Sequence, residues 1–337
     1  MRKTVPVFLL ISALVAACAT GGGRPDWIAG DSADYPPSRY LTATGSASNP
    51  EDAKTRALAN LAKIFEVRVE ETSRDESSAW QQSGEAGTVQ GGSQLTARYI
   101  DAYSTKLLEG ADTVAGWHDT ESKRYYALAV ISRGQLGTRL RGDINAADRY
   151  VQQRMNNARL LQDPVARAQM IFSAGSALRT REMLQKDLQI VDRTGTGVPA
   201  SWTGKMLQAR LDAALSKVSV RVQASPDSPV DLEALLRAAV TAAGMRYAPD
   251  AAAYELQGTV DVQDVGWRDG WYWYRGSLQV SLNRIADGKV SAAAHWPLKS
   301  SGQSQQQSRI RLHDQIADFL NRALRPALLA YQSEKEN

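Results

Sequence analysis

Histidine and cysteine are scarce in this chain, with three histidines and one cysteine among 337 residues. The histidines, His118, His295 and His313, are far apart and lie in no recognisable motif. Without a Cys/His cluster the sequence offers no ligand set for zinc or an iron–sulfur centre. A single cysteine also excludes a disulfide within the chain. We therefore predict no metal site, no cofactor and no histidine-based nucleophilic triad.

An excess of charge of one sign is also missing. The net charge of +4 falls to +2 when Arg2 and Lys3 are removed with the leader segment described below. Proteins that bind nucleic acid carry a basic patch or stripe, so no nucleic-acid partner is expected. The hydrophobic content of 43% is typical of a globular protein. At this length the chain can form about two domains.

The N-terminus combines a positive start with a short apolar run. Arg2 and Lys3 precede the thirteen-residue stretch 5–17, whereas a membrane-spanning helix needs about 20 apolar residues. Residues 1–17 are therefore predicted to be a signal peptide. The run ends in the sequence LVAAC at residues 14–18, which resembles the lipobox of bacterial lipoproteins.

The lipobox resemblance implies that Cys18 receives the lipid, including palmitate-type acyl chains, and becomes the first residue of the mature protein. Residues 18–26 would then form a flexible lipidated tether. Ala19 follows the cysteine, and the sorting rule for such lipoproteins implies the outer membrane, with the protein facing the periplasm. The alternative is a secreted protein with an incidental cysteine.

Hydrophobic periodicity predicts an α+β fold in which two small α+β domains, residues 27–133 and 218–337, are joined by a helical segment, residues 134–217. Each domain is expected to contain a strand–helix–strand core with antiparallel hairpins. In the first domain the same patterns predict a helix that starts at Asn49-Pro50, a strand at Val67 and Val69, and a loop at residues 81–94. They also predict a hairpin of residues 113–117 and 124–131 with His118 in its turn. In the second domain they predict a helix that starts at Ser228-Pro229 and a last helix that Pro326 ends or kinks.

Residues 27–133 resemble the LPP-twenty family of bacterial outer-membrane lipoproteins. The resemblance depends on Trp27-Ile28, the strand at 40–45, the alanine-rich helix at 53–57 and the strand at 124–130. It implies a small α+β domain without enzymatic activity or cofactor. Some members of the family are parts of outer-membrane flagellar structures.

One further segment, WRDGWYWYR at residues 267–275, is rich in aromatic and basic residues. Alternation places Trp271 and Trp273 on the polar face of a strand together with Arg275, whereas Tyr272 is expected in the core. With Trp267 and Arg268, these residues are the candidate binding site, since indole rings are enriched at interfaces. The alternative is that the last helix covers the indoles, or that a bulge shifts the alternation.

These observations predict a non-enzymatic, lipid-anchored periplasmic protein that acts as a scaffold or binding protein of the cell envelope. The expected partners are the outer membrane, through the lipidated N-terminus, and envelope proteins or peptidoglycan. An oligomer is left open. The alternative function is an envelope glycan hydrolase, which would need a pair of carboxylates in a cleft, and none is singled out among the 36 acidic residues.

Overall fold

A computed structural model describes residues 23–30, 32–81 and 109–331, and for residues 66–81 the description is confined to the backbone. It contains helices and two sheets, which confirms the predicted α+β class. After a 3-10 helix at Asp26–Ala29, the strands are β1 (Tyr40–Ala47), β2 (Ala111–Asp119), β3 (Arg124–Ser132), β4 (Ser219–Ala224), β5 (Arg246–Tyr247), β6 (Tyr254–Arg268), β7 (Trp271–Arg284) and β8 (Val290–Gly302). The helices are α1 (Pro50–Gln81), α2 (Arg133–Leu160), α3 (Pro164–Val191), α4 (Gly204–Leu215), α5 (Leu232–Ala242), α6 (Gln305–Asp318) and α7 (Leu324–Ala330).

The N-terminal sheet has three antiparallel strands in the order β1-β3-β2, and α1 packs on it. Helix α1 begins as predicted, since Pro50 is its first residue and Asn49 Oδ1 accepts a hydrogen bond from Asp52 N at 2.9 Å. The strand predicted at Val67 and Val69 is wrong, because α1 continues through both residues to Gln81. Two β-branched residues are a weak signal against a helix that is already propagating.

The hairpin of β2 and β3 is confirmed, but His118 lies in strand β2 and not in the turn. Its ring stacks on that of Tyr125 with 4.2 Å between the centroids, because the two residues are paired across the hairpin. The predicted loop at residues 81–94 starts at the last residue of α1, and the rest of it lies outside the described residues.

Helices α2 and α3 form a long antiparallel hairpin that contributes to two hydrophobic cores. The start of α2 and the end of α3 pack in the N-terminal core through Leu136, Leu140, Ile144, Leu184, Leu188 and Val191. The other halves pack in the C-terminal core through Val151, Met155, Ala158, Val165, Ala168, Ile171, Ala174 and Leu178. The segment predicted to join two domains is thus a structural part of both cores.

The C-terminal sheet has five strands in the order β5-β4-β6-β7-β8. Strand β4 is parallel to β5 and β6, and the remaining pairs are antiparallel. Helices α5 and α6 pack against this sheet. The helix start predicted at Ser228-Pro229 is corrected, because Asp231 is the N-cap and its side chain accepts from Ala234 N. Pro229 therefore precedes the helix and does not begin it.

The last helix is interrupted rather than ended near Pro326. After α6, a single π-helical stretch at Phe319–Ala323 leads into α7, which contains Pro326 in its first turn. Proline has no N–H to donate and its ring clashes with the carbonyl four residues earlier. The wider π geometry, a common cause of kinks, directly precedes this position.

Candidate functional site

The aromatic segment forms the tip of the β6–β7 hairpin. Its turn residues Asp269 and Gly270 both have positive φ angles, 52° and 79°. Two such residues are what a type I′ hairpin turn requires, and Asp-Gly is a preferred pair for it. The turn pairs Arg268 directly with Trp271 across the two strands.

A β-bulge between Asp264 and Gly266 decides which aromatic residues share a face. Paired residues of antiparallel strands project to the same side. The bulge pairs Gly266 with Trp273 and Trp267 with Tyr272. Trp267 therefore lies on the opposite side from Trp273, with its ring 5.7 Å from that of Tyr272. The structure thus separates Trp267 from the other two tryptophans, because the extra residue reverses the alternation.

The remaining predicted residues come together on one side of the sheet. We define the aromatic-basic face as Trp271, Trp273, Arg268, Arg275, Lys299 and Arg311. Both indoles are half-buried. Lys299 Nζ lies 5.1 Å from the centre of the Trp273 ring, and the guanidinium carbon of Arg311 lies 5.9 Å from that of Trp271. These distances are typical of cation–π contacts.

The backbone also holds one indole in place. Trp273 Nε1 donates a hydrogen bond to the carbonyl oxygen of Arg268 at 3.3 Å. This bond spans the hairpin tip and satisfies the indole N–H, so that the ring face is presented in a defined orientation.

Positive charge is concentrated on this face. Arg275 is directly opposite Lys299 in the β7–β8 register, and both side chains are exposed. Like charges in such a cross-strand pair destabilise a sheet. Among the described residues, no ion pair involves Arg268, Arg275 or Lys299. The face therefore has the electrostatic character of a site for an anionic partner.

Burial along β7 shows that this side of the sheet is not part of the core. Tyr274, Leu278, Val280 and Leu282 are buried, whereas Arg275 and Gln279 are exposed. A shallow concavity of about 570 Å³ lies further along the same sheet, away from the tryptophans, with Gln257, Thr259, Gln279 and His295 in its lining. The strand thus has a buried side and a solvent-facing side.

Tyr272, expected in the core, is half-buried near the hairpin tip and packs against the edge of the C-terminal core. Its hydroxyl donates to Asp264 Oδ2 at 2.5 Å. This hydrogen bond, more than burial, raises the pKa of Tyr272 to about 12. Tyr274, two residues further along, is the buried tyrosine of this segment, at 7% exposure.

Lys299 and Arg311 were not singled out by the sequence. Lys299 lies on the polar side of β8, and only the register of β8 against β7 places it beside Arg275. Arg311 belongs to α6 and reaches the edge strand, where its Nη1 donates to the carbonyl oxygen of Ser301 at 2.8 Å. No local sequence signal predicts a contact of this kind.

The structure places the other candidates as follows. His295 and His313 are exposed, and no group of three or more His, Cys, Asp or Glu side chains within the described residues could hold a metal. Four surface cavities of about 220 to 570 Å³ have linings without aspartate or glutamate. Cys18 lies outside the described residues. Within them, no helix has the length and apolar character needed to cross a bilayer.

A comparison with protein families identifies the first domain. Residues 25–132 match the model of the LPP20 lipoprotein family. The N-terminal part of the chain is an LPP20 domain. The match contains the 3-10 helix, β1, α1, β2 and β3, and it ends at the last residue of β3. Helix α2 and everything after it lie beyond the LPP20 domain. The comparison with curated proteins gave no match.

Solved structures similar to this chain include three bacterial proteins. A secreted protein from Helicobacter pylori is 18% identical, with 87% of this chain and 99% of that chain covered and a TM-score of 0.42. A minor lipoprotein from Acinetobacter baumannii is 18% identical, covering 33% of this chain and 90% of its own, with a TM-score of 0.27. A lipoprotein from Caulobacter crescentus is 17% identical, covering 36% and 95%, with a TM-score of 0.27.

Proposed function

We propose that this protein is a non-enzymatic lipoprotein of the outer membrane that faces the periplasm and binds an anionic envelope component, peptidoglycan, through its aromatic-basic face. The observation that carries the proposal is that two half-buried indoles lie against cations that form no ion pair with any described residue, on the solvent-facing side of the C-terminal sheet. The lipid anchor supplies the location, and the C-terminal domain supplies the contact.

The membrane anchor is supported by two observations. The LVAAC sequence ends at Cys18, the chain's single cysteine, and the domain that follows matches a lipoprotein family. The outer membrane is the proposed location because Ala19, and not an aspartate, follows the cysteine. A part in a flagellar structure remains a prediction from the family resemblance, since no contact or surface in the described residues points to it.

Peptidoglycan has the chemistry that this face would recognise. Its sugar rings present flat C–H surfaces that can stack on the indoles of Trp271 and Trp273, and its stem peptides carry carboxylates. Charge-assisted bonds from arginine or lysine to carboxylate are among the stronger hydrogen bonds. The exposed cations Arg275 and Lys299 lie beside the indoles, so that one ligand could use both kinds of contact.

The hydrolase alternative would require two carboxylates about 5 to 9 Å apart in a cleft. The four cavities described above have none in their linings. We therefore propose binding without catalysis.

The test removes charge without removing packing. In Arg275→Gln plus Lys299→Gln, the like-charge repulsion disappears but so does the contact of Lys299 with the Trp273 ring, so the two effects should offset and stability should change by less than about 1 kcal/mol. Sedimentation with purified peptidoglycan should fall by about tenfold or more, because about 1.5 kcal/mol or more is lost with each charge-assisted bond. The matched control is Lys205→Gln plus Arg210→Gln on α4, which removes the same charge from another exposed surface.

A second pair of variants tests the indoles. Trp271→Ala plus Trp273→Ala should abolish binding at a moderate cost in stability, since both rings are half-buried. Tyr274→Ala removes a buried ring and should destabilise by about 3–5 kcal/mol. If peptidoglycan sediments equally with wild type and both face variants, the proposed partner is wrong. Cross-linking to an envelope protein through this face would then assign it to a protein partner.

A further inference from the structure

The LPP20 domain contains a second cationic feature, separate from the aromatic-basic face. A cavity of about 500 Å³ lies between α1, the end of β1 and the start of β3. Four cationic side chains line it, those of Arg24, Arg56, Lys63 and Arg124, and its lining includes no aspartate or glutamate from the described part of the chain. We call this cavity the basic pocket.

The basic pocket is formed at the edge of the N-terminal sheet. Strand β1 is an edge strand, and two of its carbonyl groups are covered by side chains from α1. Asn60 Nδ2 donates to Thr44 O at 2.9 Å, and Arg56 Nη1 donates to Ser46 O at 2.8 Å. These bonds satisfy carbonyls that would otherwise be open to pairing with another strand. They also fix Arg56 at the rim of the pocket.

Arg124 approaches from the start of β3. Its Nη2 donates to Ser46 Oγ at 3.1 Å and more weakly to Ser46 O at 3.4 Å. Each guanidinium has five N–H donors, and these contacts use one or two of them. Both arginines are therefore held by Ser46 of β1, Arg56 through its carbonyl group and Arg124 mainly through its hydroxyl, while most of their donors remain for a ligand. Guanidinium groups held in this way can each donate two hydrogen bonds to the oxygens of a phosphate.

No ion pair among the described residues balances the charge in the pocket. On the same helix Lys54 is paired with Glu51 at 2.8 Å, but that pair is not part of the pocket lining. Among the residues whose side chains are described, Lys63 donates to the neutral Asn60, at 3.3 Å. Four positive charges around one cavity repel each other, so an anion in the pocket would be stabilised by all of them.

The position of the pocket in the chain indicates where that anion comes from. Arg24 is six residues after Cys18, and six extended residues span at most about 22 Å. If Cys18 is lipidated, as proposed above, the pocket is held within that distance of the membrane surface. Anionic lipid headgroups attract basic residues that come within about 8–10 Å of the surface, and a tether of this length allows the pocket to reach that layer.

We infer that the basic pocket binds the phosphate of an anionic phospholipid headgroup and so fixes the orientation of the LPP20 domain on the membrane. The inference uses the proposed anchor for proximity, but the pocket's affinity for phosphate does not depend on lipidation. A mature-length chain with Cys18→Ser therefore tests the pocket alone, and acyl labelling of the wild type tests the anchor separately.

The experiment measures co-sedimentation of the Cys18→Ser chain with phosphatidylcholine vesicles that either contain or lack phosphatidylglycerol. We expect binding that requires phosphatidylglycerol. Adding Arg24→Gln plus Lys63→Gln should weaken it about 10- to 30-fold, because neither side chain bonds the backbone of β1 and the fold is preserved. Restoring charge with Arg24→Lys plus Lys63→Arg should restore binding.

The chain offers a matched control. A different cavity, of about 220 Å³, is lined by Arg159, Arg167, Arg210 and Lys217, also without a carboxylate. Arg159→Gln plus Lys217→Gln removes the same charge there and should leave vesicle binding unchanged. Equal loss in both double variants would show general attraction to positive charge and would overturn the inference. So would the absence of phosphatidylglycerol-dependent binding in the parent chain.

A last experiment distinguishes the phosphate of a lipid from a soluble phosphate as the ligand of the pocket. Inorganic phosphate is titrated into the Cys18→Ser chain, and chemical shifts of the arginine side chains are followed. We expect weak binding that Arg24→Gln plus Lys63→Gln abolishes, together with the tighter vesicle binding. Phosphate binding at this pocket without any vesicle binding would assign it to a soluble anion and refute the lipid assignment.

Discussion

Arg181 Nε donates a hydrogen bond to Asp148 Oδ1 at 3.0 Å in the middle of the α2–α3 hairpin, at the level where the helices leave one hydrophobic core and enter the other. Arg181 is only 4% exposed, and its Nη2 also donates to the carbonyl oxygen of Val198 at 2.7 Å. This ion pair separates two apolar stripes on the same helices. It therefore occupies the junction between the LPP20 domain and the C-terminal domain.

This arrangement predicts an asymmetry between the two partners. Asp148→Ala leaves a buried guanidinium without its carboxylate, which should lower the free energy of unfolding by about 3 kcal/mol. Arg181→Met fills the space with apolar atoms and leaves Asp148 partly solvated, so it should cost less than about 1.5 kcal/mol. Urea unfolding of both variants measures the difference. Equal decreases in the free energy of unfolding for the two variants would contradict a role of desolvation at this site.

A second polar contact ties the start of α3 to the C-terminal sheet. Asp163 caps α3 by accepting from Val165 N and Ala166 N, and it also accepts from the Tyr254 hydroxyl at 2.9 Å and from Arg284 Nη1 at 2.9 Å. Asp163→Ala should therefore cost about 2–4 kcal/mol, through the lost cap and an unsatisfied buried hydroxyl. Asp163→Asn keeps an oxygen for the cap and should cost clearly less.

The same contact predicts a pH dependence. Burial, and then the hydrogen bond to Asp163, raises the pKa of Tyr254 above its usual value. The protonated hydroxyl is favoured in the folded state, so this contribution is fully present below the unfolded pKa of about 10 and is lost as the pH rises beyond it. The stability advantage of wild type over Tyr254→Phe should thus shrink between about pH 9 and about pH 11. An advantage that stays constant over this range would contradict the assignment.

The absence of a side chain at Gly45 allows α1 to pack very closely on the LPP20 sheet. A Cβ at this position would lie 2.2 Å from Ala57 N and 2.5 Å from Ala53 O, both backbone atoms that cannot rotate away. Gly45→Ala should therefore destabilise the domain by about 3 kcal/mol, at the upper end of overpacking effects. Gly116→Ala in β2 is the control, because its nearest contact would be 3.7 Å. Thermal unfolding of the two variants should differ by several degrees.

The lipid anchor gives the fifth prediction. Cys18→Ser removes the single thiol of the chain, so metabolic labelling with a fatty acid should fall to background and the protein should leave the membrane fraction. Ala19→Asp, which keeps the thiol, should retain the label while changing the membrane in which the protein is found. Acyl labelling that persists in Cys18→Ser would refute the lipobox assignment.

Local patterns in the sequence were sufficient for the elements whose signals are complete within a few residues. Asn49-Pro50 begins a helix as predicted, and Asp163-Pro164 begins another with the same chemistry, because cap and first-turn interactions act between neighbours. Alternation along β7 separated buried Leu278 from exposed Gln279, because successive side chains of a strand point to opposite faces.

Other features required contacts between distant residues. The bulge in β6 moved Trp267 to the side opposite Trp273, and only the pairing of β8 with β7 placed Lys299 beside Arg275. The sequence pattern of a single strand does not specify its register against its neighbours. That register is set by turns, bulges and the packing of neighbouring strands.

The sequence by itself determined the polar side of β7 and most element types, though not the helix at Val67 and Val69, and it carries the lipobox resemblance. Tertiary structure decided that α2 and α3 serve two cores, and that Arg56 and Arg124 meet at Ser46 to form a pocket. The physical reason is that periodicity shows which side of an element is apolar, but not what it packs against. That choice depends on the burial and charge of residues far apart in the chain.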